Sequence, residues 1–129
     1  MGRSPSEVPT AAELEILNVL WDLGPSTVRE VFREIGRSRD VGYSTVLKMM
    51  QIMTEKGYVE RDADVRPQVY ETSETRKLTQ RHLLRDLVRR AFSGSPGELA
   101  LQALSSRKAS TDERRKIREL LDRMEDGES

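Results

Sequence analysis

At four points in this 129-residue chain a hydroxyl residue stands three positions ahead of a glutamate, just before an apolar helical stripe. The pairs are Thr10 and Glu13, Thr27 and Glu30, Ser95 and Glu98, and Ser110 and Glu113. Each reads as a capping box: the hydroxyl accepts from the N–H of the third helical residue, and the glutamate returns to the cap's own N–H. Four such starts commit much of the chain to short, separately capped helices.

The stripes behind the caps set the helix limits. The first helix covers 11–23, with Leu14, Leu17 and Trp21 on one stripe and Ile16, Leu20 and Leu23 beside it. Gly24-Pro25 ends it. The second carries Val28, Val31, Phe32 and Ile35 at i, i+3, i+4, i+7 and closes at Gly36. After a short charged linker, a third helix over 43–56 repeats that spacing with Val46, Met49, Met50 and Met53. Its opposite face holds Ser44, Lys48, Gln51 and Glu55, with Leu47 and Ile52 flanking them, and Gly57 ends it.

The period then changes. Residues 58–62 and 68–72 read as short strands joined by a loop over 63–67 that carries Arg66. Pro67 suits a strand entry and not a central strand. Beyond 74 the chain is helical again. A helix over 75–92 carries Leu84, Leu87, Val88 and Ala91, with Phe92 adjacent, before Gly94 breaks it. A short helix over 96–105 starts on Pro96 and carries Leu99, Leu101 and Leu104. The last, 111–125, sets Ile117, Leu120, Leu121 and Met124 on one stripe. The organisation expected is a disordered arm over 1–9, a first domain over 10–73 and a helical module over 74–126.

Composition narrows the chemistry. There is no cysteine and one histidine, so disulfides, thiolate metal sites and His-rich zinc sites are excluded. The longest run without a charge is eight residues, Leu99–Ser106, far short of a membrane span. The first ten residues hold no apolar signal core. A soluble cytoplasmic protein without membrane insertion is expected. No nucleophile lies near a base motif and no glycine-rich phosphate loop is present, so neither an enzyme nor a cofactor is expected. Lysine plus arginine and aspartate plus glutamate number 22 each, so any nucleic-acid binding must come from local placement of charge.

Three helices followed by a hairpin is the order of a winged helix-turn-helix. The expected fold is therefore mainly α with a small β-hairpin: an N-terminal winged helix and a C-terminal three-helix dimerisation module. In that arrangement the third helix enters the DNA major groove and its first turns meet base edges. Those positions are Tyr43, Ser44, Thr45, Leu47, Lys48 and Gln51. Gln51 suits an adenine edge, Lys48 a guanine edge or a phosphate, and Leu47 a thymine methyl. Arg66 at the wing tip suits a phosphate or the minor groove. The competing reading is a winged-helix module that binds protein and not DNA. The helix over 75–92 carries Arg76, Lys77, Arg81, Arg85, Arg89 and Arg90, read either as a solvated face or as a contact to flanking DNA backbone. His82, beside that face, is given no function.

The C-terminal helices are short and one-sided. Leu84, Val88, Phe92, Leu99, Leu104, Ile117, Leu120, Leu121 and Met124 are the expected dimerisation residues. Burying one such side chain is worth roughly 1.5–3 kcal/mol, so a set of this size can drive association; the competing reading is an intramolecular fold of these helices onto the winged helix.

The segments TAAELEILNVLWDLGPSTVREVFREI, VGYSTVLKMMQIMTEKGYVER and RPQVYE resemble the penicillinase-repressor family, the BlaI/MecI/CopY type. The ELEILNVLW block with Trp21, the YSTV helix start and the TEKGYVER exit are the specific parts, and IRELLDRM extends the resemblance towards residue 125. It implies a dimeric transcriptional repressor whose winged helix binds half of a palindromic operator and whose C-terminal helices entwine two subunits. It places Tyr43, Ser44, Thr45, Lys48 and Gln51 at DNA-reading positions, and Arg66 and Tyr70 in the wing. Ile52 stands where many members carry arginine. In the β-lactam-responsive branch a membrane sensor with a zinc protease domain leads to repressor cleavage. The corresponding bond here is Gln102-Ala103, which differs from that branch's Asn-Phe pair. The copper-responsive branch binds metal through C-terminal cysteines, which this chain lacks.

Overall fold

A computed structural model describes residues 8–127; of the arm read as disordered, 1–7 lie outside the described residues, and Pro9 is buried. The elements, in chain order, are α1 (Ala11–Leu23), β1 (Ser26–Thr27), α2 (Val28–Gly36), α3 (Tyr43–Lys56), β2 (Val59–Asp62), β3 (Val69–Thr72), α4 (Arg76–Ala91), α5 (Pro96–Ser106) and α6 (Thr111–Glu125). They fall into two compact units, one ending at Leu87 and the other beginning at Val88. The first unit thus runs past the expected limit at 73 and takes in most of α4.

Caps start the helices as the residues dictate. Thr10, Thr27 and Ser110 each form both halves of the capping box with Glu13, Glu30 and Glu113. At α5 the Ser95 hydroxyl accepts from the Glu98 N–H, with Pro96 in the first turn. α3 ends on Gly57, whose φ of 85° is the left-handed conformation that glycine adopts without a Cβ clash. Its N–H closes the helix onto Met53 and Thr54 carbonyls.

The core of the first unit is built from three stripes and the wing. Ile16, Leu17 and Leu20 of α1 meet Val28, Val31 and Ile35 of α2 and Val46, Met50 and Met53 of α3. Tyr58, Val59 and Tyr70 close it from the sheet. The Trp21 indole N–H donates to the Glu74 carbonyl at 3.0 Å, joining the end of α1 to the segment that follows the wing.

The sheet has three strands where the sequence reading expected a two-stranded hairpin. Its order is β1-β3-β2, antiparallel throughout. β1 adds Ser26 opposite Tyr70 and Thr27 opposite Val69. Two residues are too few to show a strand period, and Thr27 is also the N-cap of α2. Within β3, Tyr70 turns into the core while Glu71 faces solvent, as strand alternation requires. Tyr70 is 3% exposed, so its side chain supports the wing from inside and is not on its outer surface.

In the second unit, Ser93 and Gly94 adopt positive φ and the Gly94 N–H returns to the Val88 carbonyl at 3.0 Å. α5 and α6 follow. Among the described residues of these two helices none is buried; Leu99 and Ile117 are half-buried.

Candidate nucleic-acid interface

α3 is amphipathic by its own sequence. Val46, Met50 and Met53 are buried, and Tyr43, Ser44, Thr45, Lys48, Gln51, Ile52 and Glu55 are exposed. Of the positions expected to read DNA, Tyr43, Ser44, Thr45, Lys48 and Gln51 therefore share the solvent side of one helix. Leu47 differs: it is half-buried and packs against the core. Arg66 is exposed in the loop between β2 and β3.

The start of α3 is unlike the other capped starts. Its N-cap is Gly42, which has no side chain, so no side-chain cap bonds the first-turn N–H groups. Exposed N–H groups at a helix start carry partial positive charge and suit an anion.

Beside this start lies an open groove of about 520 Å³, with Arg29, Arg33, Tyr43, Leu47, Pro67 and Tyr70 among its lining residues. The Tyr43 ring is held edge-on to Phe32, with centroids 5.6 Å apart and planes at 78°. The Arg29 guanidinium lies 5.0 Å from the Tyr43 ring centroid, within cation–π range. Glu30, also in the groove, accepts from the Thr27 N–H at 2.8 Å and is committed to the α2 cap. Arg29 and Arg33 were missed from sequence. They sit one turn apart on the polar face of α2, and only the packing of α2 on α3 places them beside Tyr43.

The far end of α3 is fastened to α1. Lys56 Nζ lies 2.8 Å from Glu13 Oε2, and the Glu13 residue is 3% exposed. The other carboxylate oxygen accepts from the Thr10 N–H at 2.9 Å. Burial alone pushes the Glu13 carboxyl up, but the Lys56 and Thr10 bonds together outweigh it and hold it below its ordinary value. The capping glutamate therefore also anchors α3. Glu15 of α1 pairs with Arg39 of the linker between α2 and α3 at 2.7 Å, which ties that linker down.

The basic face of α4 is partly engaged. Arg76 pairs with Asp22 at 2.6 Å and lies over the Trp21 ring, 5.4 Å from its centroid. Lys77, Arg81, Arg85 and Arg90 are exposed. His82 Nδ1 lies 3.4 Å from Glu74 Oε1. The expected dimerisation residues keep large apolar exposures: Leu84 50%, Leu104 42%, Leu120 48%, Leu121 52% and Met124 55%. Val88, Phe92, Leu99 and Ile117 are half-buried, and Gln102 and Ala103 are exposed on α5. Among the described residues no helix is long and apolar enough to cross a membrane, and no acidic, His or Cys group could hold a metal ion.

No curated protein matches this chain. A model of the penicillinase repressor family matches residues 9–123, from the α1 cap through nearly all of α6. That span takes in the winged helix, α4 and both helices of the C-terminal unit, and on it the chain belongs to the penicillinase repressor family of transcriptional repressors.

Proposed function

We propose that this protein is a homodimeric repressor that binds a palindromic operator, each copy reading one half-site with α3 and bracing it with the wing. The observation that carries the reading is the exposed polar face at the start of α3, whose first turn is uncapped and flanked by Arg29 and Arg33. Gln51 and Lys48 meet base edges, with Ser44 and Thr45 at the groove wall. Leu47 offers a thymine methyl only the part of its surface that the core leaves free. Arg66 takes a phosphate from the wing side. The first-turn N–H groups of α3 and the Arg29 and Arg33 guanidinium groups hold the backbone, and Tyr43 fixes where Arg29 points. The exposed apolar faces of the C-terminal helices supply the second copy. Relief of repression by a membrane sensor protease pathway, through cleavage near Gln102-Ala103 in the cytoplasm, completes the reading.

The test is hydroxyl-radical footprinting on DNA from upstream of the chain's own gene, with Lys48→Ala and Gln51→Ala as controls. Two protected half-sites about one or two helical turns apart are expected, since a two-fold dimer repeats its contacts at that spacing. Gln51→Ala should relax the sequence preference, at about 1–3 kcal/mol for the lost base pair contact. A single protected patch, or protection that ignores sequence, overturns the reading in favour of non-specific binding. Absence of any protection favours the protein-binding module.

A further inference from the structure

We propose that Ile52 is a specificity-determining residue of α3, reading the C5-methyl group of one thymine in each half-site. The inference rests on the operator reading above and adds to it a base, a place on the helix and the chemical group that is read.

The helical period sorts α3 into faces. At about 100° per residue, Ser44, Thr45, Gln51, Ile52 and Glu55 all fall within about 60° of Lys48. All six are exposed. Leu47 and Met49 stand at the borders of this face, about 100° to either side of Lys48, and both are half-buried against the core. Val46, Met50 and Met53 point the opposite way and are buried. Between the borders every side chain is polar or charged except Ile52, which is 37% exposed. Leu47, the other aliphatic side chain near the face, is partly claimed by the core; Ile52 sits near the centre and is free to meet a ligand.

Charge on this face leaves the reading of bases to other chemistry. Its ionic groups, Lys48 and Glu55, cancel, and Lys56 is held by Glu13 at 2.8 Å. α3 contains no arginine, so the bidentate arginine–guanine contact is not open to it. The exposed arginines Arg29, Arg33 and Arg66 lie on other elements and serve phosphates. Discrimination on α3 therefore falls to Lys48, to the Gln51 amide and to apolar contact.

Thymine presents a methyl group in the major groove, and an aliphatic side chain is its complement. Cytosine in the same place presents its N4 amino group, a donor that Ile52 has no atom to accept from and would strip of water. One side chain thus favours thymine and disfavours cytosine. Isoleucine is stiff at χ1 in a helix, so its apolar surface is held ready at little entropic cost. The reach also fits. Ser44 and Ile52 are about 12 Å apart along the helix axis, three to four base-pair steps of about 3.4 Å. A helix lying along the groove carries Ile52 over the same half-site as Ser44 and Lys48. Gln51, its neighbour in the chain, suits an adenine edge, so the two residues together ask for A·T pairs under the middle of α3.

Uracil substitution tests this, because deoxyuridine in DNA lacks only the thymine methyl. Half-sites are selected from random duplexes with the full-length chain. Each thymine is then replaced in turn by deoxyuridine, and affinity is read by fluorescence anisotropy at fixed salt. One thymine at a fixed place in each half-site should respond. Binding should weaken about fourfold when it is replaced in one half-site, the worth of one buried methyl, and about tenfold or more when it is replaced in both. Ile52→Ala puts a strong helix former at an exposed position, so α3 is kept. This variant should bind the thymine and uracil sites equally, and should accept cytosine there more readily than the parent does. Leu47→Ala should retain the uracil response, whatever it costs in stability. A parent that selects sequence but ignores uracil at every thymine overturns the assignment and leaves the operator reading standing. An Ile52→Ala variant that keeps the full uracil response does the same. A parent with no sequence preference overturns both.

Discussion

Replacing Lys56 with methionine removes the cation that ties α3 to Glu13 of α1 and that also lies 5.8 Å from the Tyr58 ring centroid. It keeps the side-chain stem and removes the charge, leaving the Glu13 carboxylate, 3% exposed, without its cation. At the observed 2.8 Å the Coulomb attraction runs from about 1.5 kcal/mol in a water-like medium to about 6 kcal/mol at an effective dielectric of 20. The Lys56 side chain is 39% exposed, which draws the interaction toward the lower end. Against this, an orphaned buried carboxylate costs more than the pair was worth. The expected loss is about 2 kcal/mol at neutral pH, read by urea denaturation at matched protein concentration. Glu13→Gln should cost less, since glutamine can still serve the capping box. The pH dependence follows from the depressed Glu13 carboxyl. Its stabilising contribution is complete above the ordinary carboxylate range and is lost as pH falls through that range and below. Glu13→Gln should therefore flatten the acid limb of the stability curve. Full stability in Lys56→Met, with an unaltered acid limb, would refute the assignment of this pair as an anchor.

Further outcomes follow from the same geometry. Leu120→Asp places a charge in the exposed α6 stripe and should give monomers that bind operator poorly; a variant that stays dimeric with unchanged binding would contradict that placement. Thr27→Ala removes the α2 cap and should cost about 1 kcal/mol of stability by thermal denaturation, with no change in DNA sequence preference. Arg29→Ala with Arg33→Ala should weaken binding evenly across sequences and lower the salt slope by about 2, one unit per lost phosphate contact. Charge reversal at Arg81 and Arg85 should leave the salt slope unchanged, because the face is solvated; a reduced slope would show that α4 touches the DNA backbone.

Most of the fold is written locally. The boxes at Thr10, Thr27 and Ser110 form as the hydroxyl–glutamate spacing demands, and Gly57 ends α3 where a left-handed residue is required. What local pattern cannot show is pairing between distant segments. β1 exists because Ser26 and Thr27 meet Tyr70 and Val69, and nothing in Gly24-Pro25-Ser26-Thr27 has a strand period. The Glu13–Lys56 anchor is invisible for the same reason, since each residue alone reads as helix surface. On the candidate interface, helical spacing was enough to group Ser44, Lys48 and Gln51. Arg29 and Arg33 join them only through the packing of α2 on α3. Leu47 and Tyr70 show the converse: a position on the right element whose side chain the core partly or wholly claims.

The measurement that bears most directly on the central claim is a fluorescence-anisotropy titration of DNA from upstream of the chain's own gene, repeated across a salt series. A dimeric operator-binding repressor should saturate at two copies per site, bind that DNA about a thousandfold or more tighter than random sequence, and weaken steeply as salt rises. Equal affinity for the upstream fragment and random DNA, or binding indifferent to salt, would contradict it.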